Sequence, residues 1–177
     1  AIYSWQVDWC KRGTEIRYNY LHDIVGFGQE NGKWVSPHMN WGVYLDDGTC
    51  GVHVYGNVIV RTILGGVHVH GGRDNVIENN ILVDGRDNEM QYSGYVKGGH
   101  PVPMMTEAWN KFHGTAAYLK YPGYETLTKS LDDAWQMAGN KFLRNIVSYH
   151  EPGAKLYAHY NLPTDKTESD YNLIWPG

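Results

Sequence analysis

Two short stretches of this chain present acid–base side chains in strict alternation: Gly42-Val43-Tyr44-Leu45-Asp46 and Gly66-Val67-His68-Val69-His70. Such alternation reads as half-buried strands. Overlaid on one another, they send Val43, Leu45, Val67 and Val69 into a core. Tyr44 then lies over His68 and Asp46 over His70, all facing out. Core packing does not require that outward quartet, and Arg73 and Asp74 follow closely behind it. The group suits proton abstraction beside a uronate carboxylate, with His68 or His70 as base, Arg73 as neutralising cation and Tyr44 as acid. Histidine titrates near neutrality, which favours that role. Asp46, His68 and His70 on one face could also hold zinc or another divalent ion, although the chemistry as a whole calls for no cofactor. A plainer reading makes Asp46-Asp47-Gly48 an Asx-turn and the column an ordinary solvent-facing sheet.

The aromatic inventory points the same way. With 7 Trp and 14 Tyr against 3 Phe, most aromatic side chains carry a polar handle. Such rings favour places where an apolar face meets a wet edge, as in a sugar-binding groove. Trp34 and Trp41 lie just ahead of the Gly42 strand and are candidate sugar contacts with Tyr44 and Arg73. Charged residues are 19% of the chain and the net charge is −4, which excludes a broad basic surface for nucleic acid or an anionic membrane. No segment has the length or apolar character of a membrane span. Cys10 and Cys50 allow one bridge or two free buried thiols.

The elements that must position these residues announce themselves as repeats. Asn19, Asn57, Asn80, Asn145 and Asn172 are 38, 23, 65 and 27 residues apart, each followed by apolar residues such as Val58-Ile59 or Ile81-Leu82. Periods of this size mark a stacked solenoid. Asn suits the bend between short strands because its amide bonds backbone and it tolerates left-handed dihedrals, and stacked copies can bond each other in a ladder. The longer gaps imply insertions, at about 25–40 and about 86–139, where strand alternation is lost. Gly98 to Pro103 reads as loop. A short helix is expected from a Thr106 cap to Phe112, and a second over Glu125 to Met137 with Leu127, Leu131 and Trp135 on one face. Two insertions flanking one outward column would turn a flat face into a cleft.

Gly-Val-Tyr-Leu-Asp-Asp-Gly at 42–48, Val-Tyr-Gly-Asn at 54–57, His-Gly-Gly-Arg-Asp-Asn at 70–75, Glu-Asn-Asn-Ile at 78–81 and Asp-Tyr-Asn-Leu-Ile-Trp at 170–175 resemble the right-handed parallel β-helix repeat proteins. More narrowly they resemble the secreted bacterial branch associated with carbohydrate-active enzymes. The resemblance implies an all-β, right-handed parallel β-helix of about five coils spanning residues 1–177. It also implies a secreted or periplasmic location and a carbohydrate partner. Members of that family are longer, so the chain is expected to be a fragment or a self-assembling module.

The motif at 42–46 is also similar to the segment carrying the nucleophile of retaining β-helical xylosidases, which implies that role for Asp46. In those enzymes the partner acid is a glutamate on the next coil, near the place of His68, where this chain has no carboxylate. Asp47, Asp74 and Glu89 are the other candidates. Adjacent strands lie about 4.8 Å apart, and retaining glycosidases place their carboxyl groups about 5–5.5 Å apart. The leading expectation is therefore a glycoside hydrolase with its catalytic set drawn from Asp46, Asp47, His68, His70 and Asp74. The alternatives are a polysaccharide lyase on an acidic glycan and a non-catalytic carbohydrate-binding module.

Overall fold

The strands of this protein are three to six residues long, too short to be stable alone, and they gain stability by stacking. The structure is a computed structural model that describes residues 1–6, 11–99, 102–120 and 135–177. Three five-stranded parallel sheets account for fifteen of its strands. The first contains β1 (Ile2–Trp5), β6 (Val43–Asp46), β9 (Val67–His70), β12 (Asn88–Ser93) and β15 (Lys155–Tyr160). The second contains β2 (Glu15–Arg17), β7 (His53–Tyr55), β10 (Val76–Glu78), β13 (Lys141–Leu143) and β16 (Glu168–Asp170). The third contains β3 (Tyr20–Ile24), β8 (Val58–Thr62), β11 (Ile81–Val83), β14 (Ile146–Tyr149) and β17 (Leu173–Pro176). The chain visits the sheets in turn five times, which is a parallel β-helix of five coils. Strands β4 (Gly28–Glu30) and β5 (Lys33–Val35) form an antiparallel hairpin between the first and second coils.

Side chains pointing inward stack coil on coil. Val43, Val67 and Met90 form one column of the first sheet, and Leu45, Val69 and Tyr92 form another. Ile16, Val54, Ile77 and Phe142 run through the second sheet, and Ile59, Leu82 and Val147 through the third. The expected register therefore holds: Val43, Leu45, Val67, Val69, Ile77, Leu82, Phe142 and Val147 share one buried core.

The corner between the second and third sheets is an asparagine ladder. From Asn57 onward, the side-chain oxygen of each Asn accepts the backbone N–H and the Nδ2 of the Asn one coil earlier. The Nδ2 distances are 2.9 Å for Asn19 to Asn57, 3.0 Å for Asn57 to Asn80, 3.0 Å for Asn80 to Asn145 and 3.1 Å for Asn145 to Asn172. Each Nδ2 from Asn57 onward also donates to a carbonyl of the coil before it, such as Val54 O at 3.0 Å from Asn80. The left-handed residue at this corner is the one before the Asn, contrary to expectation: Tyr18, Gly56, Asn79, Arg144 and Tyr171 have φ of 56°, 64°, 53°, 54° and 57°. The Asn itself is needed for its amide, since only a side chain with both donor and acceptor can continue the ladder. A shorter second ladder, Asn75 to Asn140 at 3.1 Å, holds the corner between the first and second sheets.

Three local expectations change. Residues 88–93 are strand β12, with Met90 and Tyr92 in the core, so regular structure persists beyond Arg86. Helix α1 spans Val102–Phe112 and includes two residues expected as loop; Pro103 is tolerated because the first turn leaves its missing N–H without cost. Thr106 is inside that helix, bonding Val102 O at 2.9 Å, and is no cap. A further helix, α2, spans Ala116–Lys120. The helix expected over 125–137 falls outside the described residues except for 135–137, which are not helical. Cys50 is a free, buried thiol, and Cys10 lies outside the described residues. Among the described residues no helix is long and apolar enough to cross a membrane.

Asn80 is 1% exposed and bonds three coils together, so Asn80→Ala takes away the side-chain partner of the Asn57 N–H and of the Val54 carbonyl and breaks the amide ladder on both sides. Urea unfolding should show a loss of about 3 kcal/mol, against about 1 kcal/mol for Asn19→Ala at the ladder's end. Equal losses at the two positions would show that the ladder is not cooperative with the core.

Candidate functional site

The outward face of the first sheet is where the chemistry collects. Parallel register sets Tyr3 beside Tyr44 and Trp5 beside Asp46 on one side. On the other it sets His68 beside Tyr44, then Gln91 beside His68 and Ser93 beside His70. Strand β6 ends in a tight turn in which Thr49 N–H donates to Asp46 O at 3.1 Å. Its central residues Asp47 and Gly48 have φ of 41° and 78°, the sign pattern of a type I′ turn, for which Asp-Gly is a favoured pair. A side chain added at Gly48 would come within 3.2 Å of Met105 on α1, so that helix packs on this turn. The turn is thus genuine but is not the Asx-turn expected, and it delivers two successive carboxylates to one place.

Asp46 is tightly bound there. Its Oδ1 accepts Tyr44 OH (2.7 Å), the N–H of Asp47 (2.9 Å) and a contact from His70 Nδ1 (2.7 Å), and its Oδ2 accepts Tyr3 OH (2.9 Å). Burial alone would push its pKa up, but the bonds from His70, Tyr44, Tyr3 and the Asp47 N–H outweigh it and hold it at about 2. Asp47 accepts Trp5 Nε1 at 2.7 Å and Tyr95 OH at 3.0 Å, and lies 3.7 Å from His70 Nδ1. The phenols stay protonated as donors: burial and the neighbouring carboxylates raise Tyr3 to about 12 and raise Tyr44 and Tyr95 as well. His70 packs against the Tyr95 ring at 4.9 Å, and its Nε2 makes no hydrogen bond to the described residues.

Tyr44 and His68 do point away from the core, as expected, but they do not reach solvent. They stack at 4.7 Å with an interplanar angle of 7°, and Trp41 lies over both at 4.6 Å and 4.2 Å. Trp41 is pinned by a bond from its Nε1 to Gln91 Oε1 at 3.0 Å. His68 is 4% exposed, and burial, then the neighbouring His70, push its pKa down to about 3. A neutral, covered imidazole bonded to Ser93 Oγ at 3.0 Å is a packing element and not a proton acceptor for substrate.

The other expected site residues lie elsewhere. Arg73 and Asp74 belong to the turn around Cys50, with Arg73 N–H on Cys50 Sγ at 3.2 Å and Asp74 paired with Arg12 at 2.7 Å. Trp34 is 71% exposed on the β4–β5 hairpin. Glu89 is 1% exposed, accepts Gly85 N–H at 2.7 Å, and is pushed by burial up to about 8. Ligand atoms of Asp46, Asp47 and His70 lie within 4.8 Å of one another, so a metal set here contains Asp47 in place of His68. An ion would compete with the hydrogen bonds that already occupy Asp46 Oδ1. Tyr3, Trp5 and Tyr95 bond the two carboxylates and join the candidate site without having been expected there; the alternation of Ile2-Tyr3-Ser4-Trp5 carries the signal for two of them.

No family model, no curated protein and no solved structure matches this chain.

The raised carboxyl of Glu89 has a signed consequence. A folded pKa of about 8 against an ordinary 4.5 makes its contribution fully present below about pH 4.5 and progressively lost as pH rises through 8. Relative to Glu89→Gln, the wild-type unfolding free energy should therefore decline between those values and level off above them. Parallel pH profiles for the two proteins would show that Glu89 is ionised and solvated instead.

Proposed function

We propose that this protein is a glycoside hydrolase whose reacting unit is Asp46, Asp47 and His70. The observation that carries the reading is the convergence of two carboxylates and one imidazole within 4.8 Å, on a face flanked by Tyr3, Trp5 and Tyr95. The sign of charge selects among the carbohydrate chemistries. Glycosidic cleavage passes through an oxocarbenium-like, positively charged transition state, which a pair of carboxylates stabilises. Uronate elimination builds negative charge instead, beside the same two carboxylates. The Asn-led repeats and the five stacked coils support kinship with β-helical carbohydrate-active enzymes.

The roles follow from the hydrogen bonds. Asp46, with three bonds on Oδ1 and one on Oδ2, is the fixed anion that orients His70 through Nδ1. Asp47 accepts one hydrogen bond on each oxygen, which leaves lone pairs free, and it projects from the turn beside His70. Its carboxylate attacks the anomeric carbon as the bond to the leaving oxygen breaks, and His70 Nε2 delivers a proton to that oxygen. Water then reverses both steps, with His70 as base.

Reducing-sugar release from neutral polysaccharides tests this. Asp47→Asn and Asp46→Asn should each lower kcat by roughly 100-fold or more with an unchanged circular-dichroism spectrum. His70→Gln should fail on natural glycans but keep activity on aryl glycosides whose leaving group needs no proton. Unsaturated uronate products would sink the hydrolase reading in favour of a lyase, and sugar binding without turnover would favour a binding module.

A further inference from the structure

Tyr95 belongs to two places at once. Its hydroxyl bonds Asp47 at 3.0 Å, while its ring forms one wall of a cavity of about 410 Å³ shared with Lys97, Trp135, Gln136 and Asn161. That volume lies within the range of small-molecule sites. The wall joins two aromatic rings and an apolar strip of Val96, Leu162 and Pro163 to an amide pair and a single cation, Lys97. Lys97 is exposed and makes no ion pair among the described residues, and Lys166 bonds Gln136 Oε1 at 2.7 Å, adding a second positive charge behind the wall. The Asp47 carboxylate lies at the hydroxyl end of the Tyr95 ring, and neither Asp46 nor Asp47 lines the cavity.

We infer that this cavity is a subsite for a glycosyl residue bearing an anionic group, a uronate or a sulfate, next to the sugar being cleaved. The inference rests on the hydrolase reading and names the substrate class for it. Trp135 offers a face for the sugar ring, Gln136 and Asn161 offer amides to its hydroxyls, and Lys97 takes the anion. The charge arrangement works by exclusion as well as attraction. An acidic sugar is repelled from Asp46 and Asp47 and held at Lys97, so a mixed neutral and acidic glycan can lie in the groove in only one register. Specificity of this kind needs both the attractive and the repulsive element, and Tyr95 is the partition between them.

The test is an array of neutral, uronate-bearing and sulfated oligosaccharides probed with the wild type and Lys97→Gln, with reducing-sugar release measured in parallel. Wild type should prefer acidic ligands, and Lys97→Gln should weaken them about tenfold while leaving neutral ones unchanged. The uronate and sulfate arms decide which anion is bound. Trp135→Ala should weaken acidic and neutral ligands alike. No acidic preference in the wild type, or a preference that survives Lys97→Gln, overturns the inference even if reducing ends are released. A Lys97-dependent acidic preference with no reducing ends released keeps the subsite and removes the hydrolase reading.

Discussion

Register is the constraint on which this protein depends. A coil of about 23 residues must return to the same place each time, or every inward side chain turns outward at once. The asparagine ladder enforces that return. The amide of Asn80 accepts from Asn57 and donates to Val54 O on one coil and to Asn145 on the next, so a one-residue slip would break several bonds together. The apolar columns are less selective, because Val, Ile and Leu can exchange places at modest cost. The insertions between coils are accommodated because the chain re-enters at an Asn: 65 residues separate Asn80 from Asn145, yet their side chains meet at 3.0 Å.

The same register assembles the site. With the coils in step, Asp46 on β6 and His70 on β9 occupy successive coils of one outward column, and their side chains close to 2.7 Å. Tyr3 from the coil before and Tyr95 from just beyond the coil after supply phenols to the two carboxylates. Two adjacent anions would repel each other and draw protons in an apolar setting. Here three phenols, one indole and one imidazole contact them, and the Asp46 carboxyl remains strongly acidic. The network therefore keeps negative charge in place at a partly buried position, as the proposed hydrolase chemistry requires.

Much of this was legible in the sequence. The repeat of Asn with flanking apolar residues specifies stacking, and the alternation of Val43 to Asp46 and Val67 to His70 specifies which side faces the core. What remained hidden depended on contacts between segments distant in the chain. His68 reads as an exposed imidazole until Trp41 is folded over it, and that placement depends on Gln91, 50 residues away from the Trp. Strand β12 is obscured in the sequence because its inward residues Met90 and Tyr92 alternate with the polar Glu89, Gln91 and Ser93 in a segment with no β-branched residue. Asp74 and Arg73 appear close to His70 in sequence, but the chain turns a corner at Gly71, with φ of 73°, and carries them toward Cys50 and Arg12.

At the Asp46–Thr49 turn a structural role and the proposed chemical one need not compete. Asp-Gly is there because a type I′ turn needs two left-handed residues, and the same turn places both carboxylates side by side. An ordinary turn of that kind would be exposed and free to relax. This one is pinned by Gly48 N–H on His70 O at 2.8 Å, by Thr49 Oγ1 on Asp46 O at 2.6 Å, and by Met105 of α1 against Gly48. Helix α1 belongs to an insertion that the solenoid does not need for its own stacking. Its Met105 packs against the corner from which Asp47 projects, so this turn is covered by a residue from outside the coils.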